Sequence, residues 1–310
     1  MKISIITPLY NRIDLLRDTI ESVMHQTYPH WEMIIVDDGS NDGSFGLARS
    51  FSYKTPKIKV YHRNREPKGA PTCRNIGIQK ATGDFVMFLD SDDLTEPFCL
   101  EQRIKTARNF PQYDFWVFQT LRFDKDGNRR EWNNLKKNPV IQFLELDSPW
   151  HTSGSFWSKK TLLCNNLHFD EKLAVWQDID FHLQALHKKL TFKDMLSSAP
   201  PDILYREHDA SISQRAYPPH YRKSQLYFFD KWAKKLNSKE EQTALYNSFS
   251  TFINKIEHSE SHKEIATVLT STSRLVKPIS RIKMLKGLIK IFLEKRKRLA
   301  KSIFKFATKL

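Results

Sequence analysis

Apolar residues come in short unbroken runs over the first 120 positions, and helical spacing fills the gaps between them. "ISIIT" (3–7), "EMIIVDD" (32–38), "KVYHR" (59–63), "DFVMFLD" (84–90) and "YDFWVFQT" (113–120) read as strands. "RIDLLRDTIESVMHQ" (12–26) sets Ile13, Leu16, Ile20 and Val23 on one side of a helix. "APTCRNIGIQKA" (70–81) predicts a second helix with Gly83 as its C-cap. "EPFCLEQRIKTARN" (96–109) predicts a third, with Pro97 in its first turn. Several strands are continuously apolar, not alternating, which suits a parallel sheet covered on both faces. Strands alternating with helices predict an α/β doubly wound domain. "DKDGN" (124–128) marks a hairpin turn, and from about 216 the patterning is mainly helical.

A chain of 310 residues has room for one large domain or a domain with an appendage, and its 40% apolar content supports a real core. Cys73, Cys99 and Cys164 are far apart and form no CxxC pair. That argues against a disulfide framework or a cysteine zinc site and fits a reduced, cytosolic setting. The N-terminus reads as a first strand, not a signal peptide. No apolar run approaches the roughly 18–20 residues of a spanning helix. The net charge of +15 is uneven, because residues 277–310 hold twelve Lys/Arg and one acid. The basic character therefore belongs to a tail.

Two acidic motifs follow strands. "IIVDDGSNDGS" places Asp37 and Asp38 after the second strand, and "VMFLDSDD" places Asp90, Asp92 and Asp93 after a later one. Ligands of open parallel sheets bind beyond the carboxyl ends of strands, so the two motifs imply one acidic pocket. Ser40 or Asn41 suits a helix cap, and so does Asp92 or Asp93. One carboxylate suffices for a cap, whereas three suit a hard divalent cation that shares substrate phosphate oxygens. Spacing alone leaves metal and cap level. Glycine phosphate cradles of the G-x-x-x-x-G-K-[ST] and G-x-G-x-x-G types are absent, as are H-E-x-x-H and G-x-S-x-G.

"SIITPLYNRIDLLRDTIESVMHQTYPHWEMIIVDDGSNDGS" and "GAPTCRNIGIQKATGDFVMFLDSDD" closely resemble the family 2 nucleotide-sugar glycosyltransferases, which have the GT-A fold. The resemblance is dense over residues 2–110 and looser to about 215. It implies a catalytic domain over 1–215, followed by a helical, basic region over 216–310. It implies that "DSDD" is a DxD-type motif, with Asp92 the main contact to Mn²⁺ or Mg²⁺ and Asp90 and Ser91 near the donor sugar or ribose. Pro8, Tyr10 and Asp38 would hold a uracil-type donor base, and Arg74 and Lys68 would contact the diphosphate. "HFDEKLAVWQDIDFHLQAL" (168–186) matches the segment that supplies the base of an inverting transfer. Asp178 takes that position, with Asp180 the fallback, and Gln177 departs from the pattern because an acid is common there. Asp178 could instead cap the helix 178–188. "LYREHDASISQR" (204–215) places His208 as a metal or diphosphate contact. "PWHTSGSFWS" (149–158) resembles an acceptor-side wall on which Trp150 and Trp157 could stack a sugar, although buried packing accounts for both as well.

Residues 279–310 repeat Leu285, Ile289, Phe292, Leu299, Ile303, Phe306 and Leu310 at three- and four-residue steps, with Lys and Arg between. This pattern predicts a basic amphipathic helix, or two broken near "EKRKR", that suits an anionic membrane surface or packs on the domain with its basic face solvated. The leading expectation is a metal-dependent, inverting glycosyltransferase of bacterial cell-surface polysaccharide synthesis. It would use a nucleotide sugar and a glycan or lipid-linked glycan acceptor, in the cytoplasm or on the inner membrane face. The alternatives are an inactive binding or scaffold protein of the same fold and a nucleic-acid binder. Nucleic acid is not expected, because no aromatic-interleaved binding module is present.

Overall fold

A computed structural model of the chain describes residues 1–207 and 219–256. The expected alternation is present. β1 (Ile3–Leu9), α1 (Ile13–Met24), β2 (Trp31–Asp37), α2 (Ser44–Lys54), β3 (Ile58–His62), α3 (Ala70–Lys80) and β4 (Phe85–Phe88) follow in order. Next come β5 (Leu94–Thr95), α4 (Cys99–Asn109), β6 (Phe115–Val117), β7 (Thr120–Phe123), β8 (Arg129–Glu131) and α5 (Pro139–Leu144). The described part ends with β9 (Ser155–Ser158), α6 (Lys159–Cys164), α7 (Gln177–His187), β10 (Phe192–Asp194), β11 (Ile203–Arg206), α8 (Arg222–Ala233) and α9 (Lys239–Ile256).

Seven strands form the main sheet in the order β10-β6-β9-β4-β1-β2-β3, and β5-β11-β7-β8 form a smaller one. In the main sheet β9 runs antiparallel to β4 and β6, and every other pairing is parallel. Alternate residues of each strand feed opposite layers. Val86 and Phe88 join one core with α3, α5, α7, α8 and α9, whereas Met87 and Leu89 join another with α1, α2 and α4. Burial on both faces is why the strand sequences lack polar alternation. Phe228, Trp232, Phe249 and Phe252 of α8 and α9 lie in the first of these cores. The core thus continues past residue 215, where the sequence pattern draws its boundary.

Two glycines set distances between layers. A Cβ on Gly77 would stand 2.3 Å from Ile6 Cγ2, so α3 lies against β1 at a spacing no other residue allows. Gly83 does not cap α3 in a left-handed conformation: Ala81 follows the helix in extended form. A Cβ on Gly83 would instead meet the Lys2 carbonyl at 2.7 Å, so this glycine permits a close backbone approach. The "DKDGN" turn does join β7 to β8. Asp124 Oδ1 accepts from the N–H groups of Asp126 and Asn128, and Gly127 has φ +82°.

The small sheet is tied to the main one by a buried ion pair. Arg103 of α4 donates twice to Asp202, at 2.8 Å each, and neither side chain has exposed surface. Removing one partner of such a pair strands a buried charge.

His182 of α7 is also buried, stacked on Phe143 at 5.2 Å and 9°. Its Nδ1 donates to the Asp178 carbonyl at 2.9 Å, and its Nε2 has no protein partner. Burial pulls its pKa down to about 3. The unfolded chain binds this proton below about pH 6.5 and the folded chain does not. Stability is therefore full above that pH and falls as pH drops toward 3, by about 1.4 kcal/mol per pH unit. Urea titrations across pH should show this loss, and His182→Phe should flatten it.

Candidate active site

The carboxyl ends of β1, β2 and β4 meet where the strand order reverses, the place at which such sheets bind ligands. Pro8 helps to open this cleft. Ile6 O accepts from Leu89 N and Leu9 O from Asp38 N, so alternate residues of β1 face β4 and β2 in turn. Pro8 faces the β4 side, where the paired register has ended at Ile6 and Phe88. A missing N–H costs no ladder bond at that point. The Pro8 side chain is buried within β1.

The loop after β2 caps α1 from outside. Ser44 Oγ accepts from Arg12 N at 2.8 Å, Asp42 Oδ2 from Ile13 N at 3.0 Å, and Ser40 Oγ from Asn11 N at 3.0 Å. Neither α1 nor α2 has a side-chain cap of its own, and Gly43 occupies the N-cap of α2. The expectation that Ser40 or Asn41 caps the next helix is therefore corrected: Ser40 Oγ serves the turn before α1, and Asn41 donates its backbone N–H to Asn11 Oδ1 at 2.9 Å. Asp37 turns inward on its own loop and accepts from Gly39 N and Ser40 N. Asp38 is nearly buried, and its Oδ1 accepts from Arg63 Nε at 2.6 Å and Gly69 N at 3.1 Å. Tyr10 is 45% exposed, and the Lys68 ammonium lies 3.9 Å from its ring centroid. The two residues thus form a cation–π pair at the mouth of the cleft.

The three acids of "DSDD" have three different partners. Asp90 Oδ1 accepts from the buried Arg74 guanidinium, which also lies over the Phe169 ring. Arg74 is therefore no solvated helix residue. Asp92 Oδ2 accepts from Arg12 Nε at 3.0 Å. Asp93 is fully buried: its Oδ1 accepts from Arg206 N at 3.0 Å, and its Oδ2 accepts no hydrogen bond. Burial, then the charges of Asp92 and Asp90, push the Asp93 carboxyl well above the usual range. Ser91 is buried between them. Helix α4 starts after Phe98 with no side-chain cap, so the acids are not its N-cap.

Asp90, Asp93 and His151 converge, each with a potential ligand atom within 4.8 Å of the others. The orphaned Asp93 oxygen beside a second carboxylate suits a hard cation such as Mg²⁺ or Mn²⁺. His151 suits a different part. Its Nδ1 accepts from Ser153 N at 3.3 Å, so the neutral ring carries its proton on Nε2 and donates there. Burial lowers the His151 pKa and favours that neutral form.

Helix α7 presents Asp178 in its first turn, half-buried, where free N–H groups complement a negative charge. It has no side-chain cap, so Asp178 does not cap it. Trp176 before it adopts φ 57°, a left-handed conformation that non-glycine residues rarely take outside functional or strained sites. The Gln177 Oε1 is buried without a partner. Asp180 is sealed into the core, accepting from Trp232 Nε1 at 2.9 Å, Lys231 Nζ at 2.7 Å and Gln184 Nε2 at 2.8 Å. A carboxylate so enclosed cannot reach an acceptor, and Asp180 is an anchor between α7 and α8.

Trp150 and Trp157 are corrected as an acceptor wall. Both are buried in the first core. Trp157 stacks on Phe115 at 4.1 Å, and Trp150 meets Phe143 edge-on at 4.9 Å, leaving no face for a sugar. His208 and the basic segment 279–310 lie outside the described residues. Arg12, Arg63 and His151 were not legible as site residues. Each is isolated in sequence from the acids it joins, and only the fold brings them together.

Residues 4–164, just over half of the chain, match the family model described as Glycosyl transferase family 2. The chain belongs to that family. It is 42% identical over 183 residues to TuaG of Bacillus subtilis (strain 168), a protein whose name assigns it to teichuronic acid biosynthesis as a glycosyltransferase. That match spans 56% of this chain and 70% of TuaG. An uncharacterized glycosyltransferase of Rickettsia bellii (strain RML369-C) is 36% identical over 187 residues, which are 57% of this chain and only 26% of that longer protein. Among solved structures, S. aureus TarS 1–349 in complex with UDP-GlcNAc superposes with a TM-score of 0.70 at 18% identity, over 89% of this chain and 80% of that one. The fold of this glycosyltransferase is accordingly GT-A.

Asp178 and Asp180 separate by stability. Asp180→Asn should destabilise the protein by about 3 kcal/mol, because Lys231 and Trp232 lose a buried charged partner. Asp178→Asn should stay within about 1 kcal/mol of wild type. Chemical denaturation of both variants measures the difference.

Proposed function

We propose that this chain is an inverting, metal-dependent glycosyltransferase. It moves a sugar from a UDP-sugar onto a glycan or lipid-linked glycan, in bacterial cell-surface polysaccharide synthesis. The convergence of the Asp90 and Asp93 carboxylates beside Arg74 carries this reading. The UDP-GlcNAc and UDP complexes of TarS support a nucleotide-sugar donor. So does a Pyrobaculum calidifontis mannosyltransferase in complex with GDP-Man and Mn²⁺, which aligns at TM-score 0.50 and 16% identity over 94% of this chain and 86% of that one. The name of TuaG supports a cell-surface polymer as the product.

In this reading the nucleotide lies along Tyr10, Pro8 and Asp38, and Lys68 and Arg74 face the diphosphate. Asp90, Asp92 and Asp93 would hold Mn²⁺ or Mg²⁺, with His208 a further candidate. When bound, the cation offsets charge on the departing nucleoside diphosphate. Arg74 holds Asp90 in place and Arg12 holds Asp92. Asp178 takes the proton of the acceptor hydroxyl as that oxygen bonds to the anomeric carbon. The bond from that carbon to the diphosphate breaks on the opposite face, so the configuration inverts. The reading places the reaction in the cytoplasm, with 279–310 resting on the anionic inner membrane face. Among the described residues no helix is long and apolar enough to cross a membrane.

Calorimetric titration with a panel of nucleoside diphosphates tests the donor site. UDP should bind in the presence of Mn²⁺, and both metal removal and Asp92→Ala should abolish the signal. A folded protein that binds none of the panel overturns the proposal. Asp178→Asn should lower transfer by about 10²–10⁴ and keep UDP binding, in line with the loss of a general base. Transfer at the wild-type rate removes Asp178 from that role.

A further inference from the structure

With Trp150 and Trp157 in the core, the site needs another surface for a sugar ring. Three rings meet beside the acidic cluster. Trp132, just after β8, lies 4.7 Å from His151 and 5.1 Å from Tyr205 of β11, and His151 lies 5.1 Å from Tyr205. Trp132 and Tyr205 are half-buried, and neither belongs to either hydrophobic core. They pack on each other and on His151, whose ring reaches the carboxylates of Asp90 and Asp93.

Each ring is held in place. Trp132 Nε1 donates to the Ser148 carbonyl at 3.3 Å, and the Arg122 guanidinium covers the indole at 4.2 Å. β11 and β7 pair in register from Ile203 and Thr120 onward, which sets Tyr205 beside Arg122. Core packing does not account for two partly exposed aromatic rings fixed this way beside His151 and the acidic cluster. A pyranose ring does: its axial C–H face lies on an aromatic surface, and its hydroxyls need donors nearby. The Nε2–H of His151 is such a donor.

We propose that Trp132 and Tyr205 form a platform that stacks a pyranose ring for transfer, with His151 donating to one of its hydroxyls. This rests on the glycosyltransferase reading above and adds the surface that orients the sugar. The platform meets the site at His151, on the side of Asp90 and Asp93. It therefore acts on a sugar, either the acceptor's or the donor's, and not on the nucleotide.

The test uses saturation-transfer NMR on the full chain with UDP and diamagnetic Mg²⁺, against methyl pyranosides of the gluco, galacto, manno, N-acetylglucosamine and glucuronate series. At least one should show contact through its axial protons. Trp132→Ala and Tyr205→Ala should weaken that contact roughly ten-fold, and Trp132→Phe should retain it. Circular dichroism establishes that each variant is folded. Signals that persist when UDP-GlcNAc replaces UDP assign the platform to the acceptor, and signals displaced by that change assign it to the donor sugar. Absence of contact with the whole series, or contact unchanged in both alanine variants, overturns the proposal. Failure of UDP itself to bind the wild type would instead sink the donor reading, which keeps the two failures distinct.

Discussion

Like charges crowded at the ends of neighbouring strands must be held apart, and much of this protein is arranged around that need. Asp37 and Asp38 end β2, and Asp90, Asp92 and Asp93 follow β4. Asp37 turns onto its own loop, and each of the other four is claimed by a partner from a different element. Asp38 goes to Arg63 after β3, Asp90 to Arg74 on α3, Asp92 to Arg12 before α1, and Asp93 to the backbone of Arg206 on β11. The acids thus pull four regions of the chain toward one cleft. A buried carboxylate survives only when paired or hydrogen-bonded, so these contacts order the loops as well as the charges.

The scaffold behind the cleft is stiff where it must be. Gly77 brings α3 against β1, which fixes the root of Arg74. The sealed pair of Arg103 and Asp202 clamps the small sheet to α4, which fixes β11 and therefore Arg206 and Tyr205. Asp180, enclosed by Lys231 and Trp232, anchors the helix that carries Asp178.

The fold was legible because both faces of the main strands are covered. Continuous apolar runs such as "EMIIVDD" and "DFVMFLD" have few other uses, and the helices between them carry clear spacing. Short elements were harder. β9 inserts antiparallel between β4 and β6, and nothing in "SFWS" announces that order. Within the site, motif acids could be read because they are contiguous. His151, Arg63 and Arg12 could not, since their partners lie 25 or more positions away and meet only through the sheet. Trp150 and Trp157 show the opposite error: large aromatic residues near a site were equally good as core, and the core took them.

The capping of α1 from outside has a mechanical meaning. The loop that carries Asp38 supplies Asp42 and Ser44 to the first N–H groups of α1, and the residue at that junction, Arg12, grips Asp92. The two ends of the cleft are therefore joined by a strut only a few bonds long. They cannot drift independently of one another. A displacement of the loop after β2 would carry the first turn of α1 with it, and through Arg12 the carboxylate of Asp92.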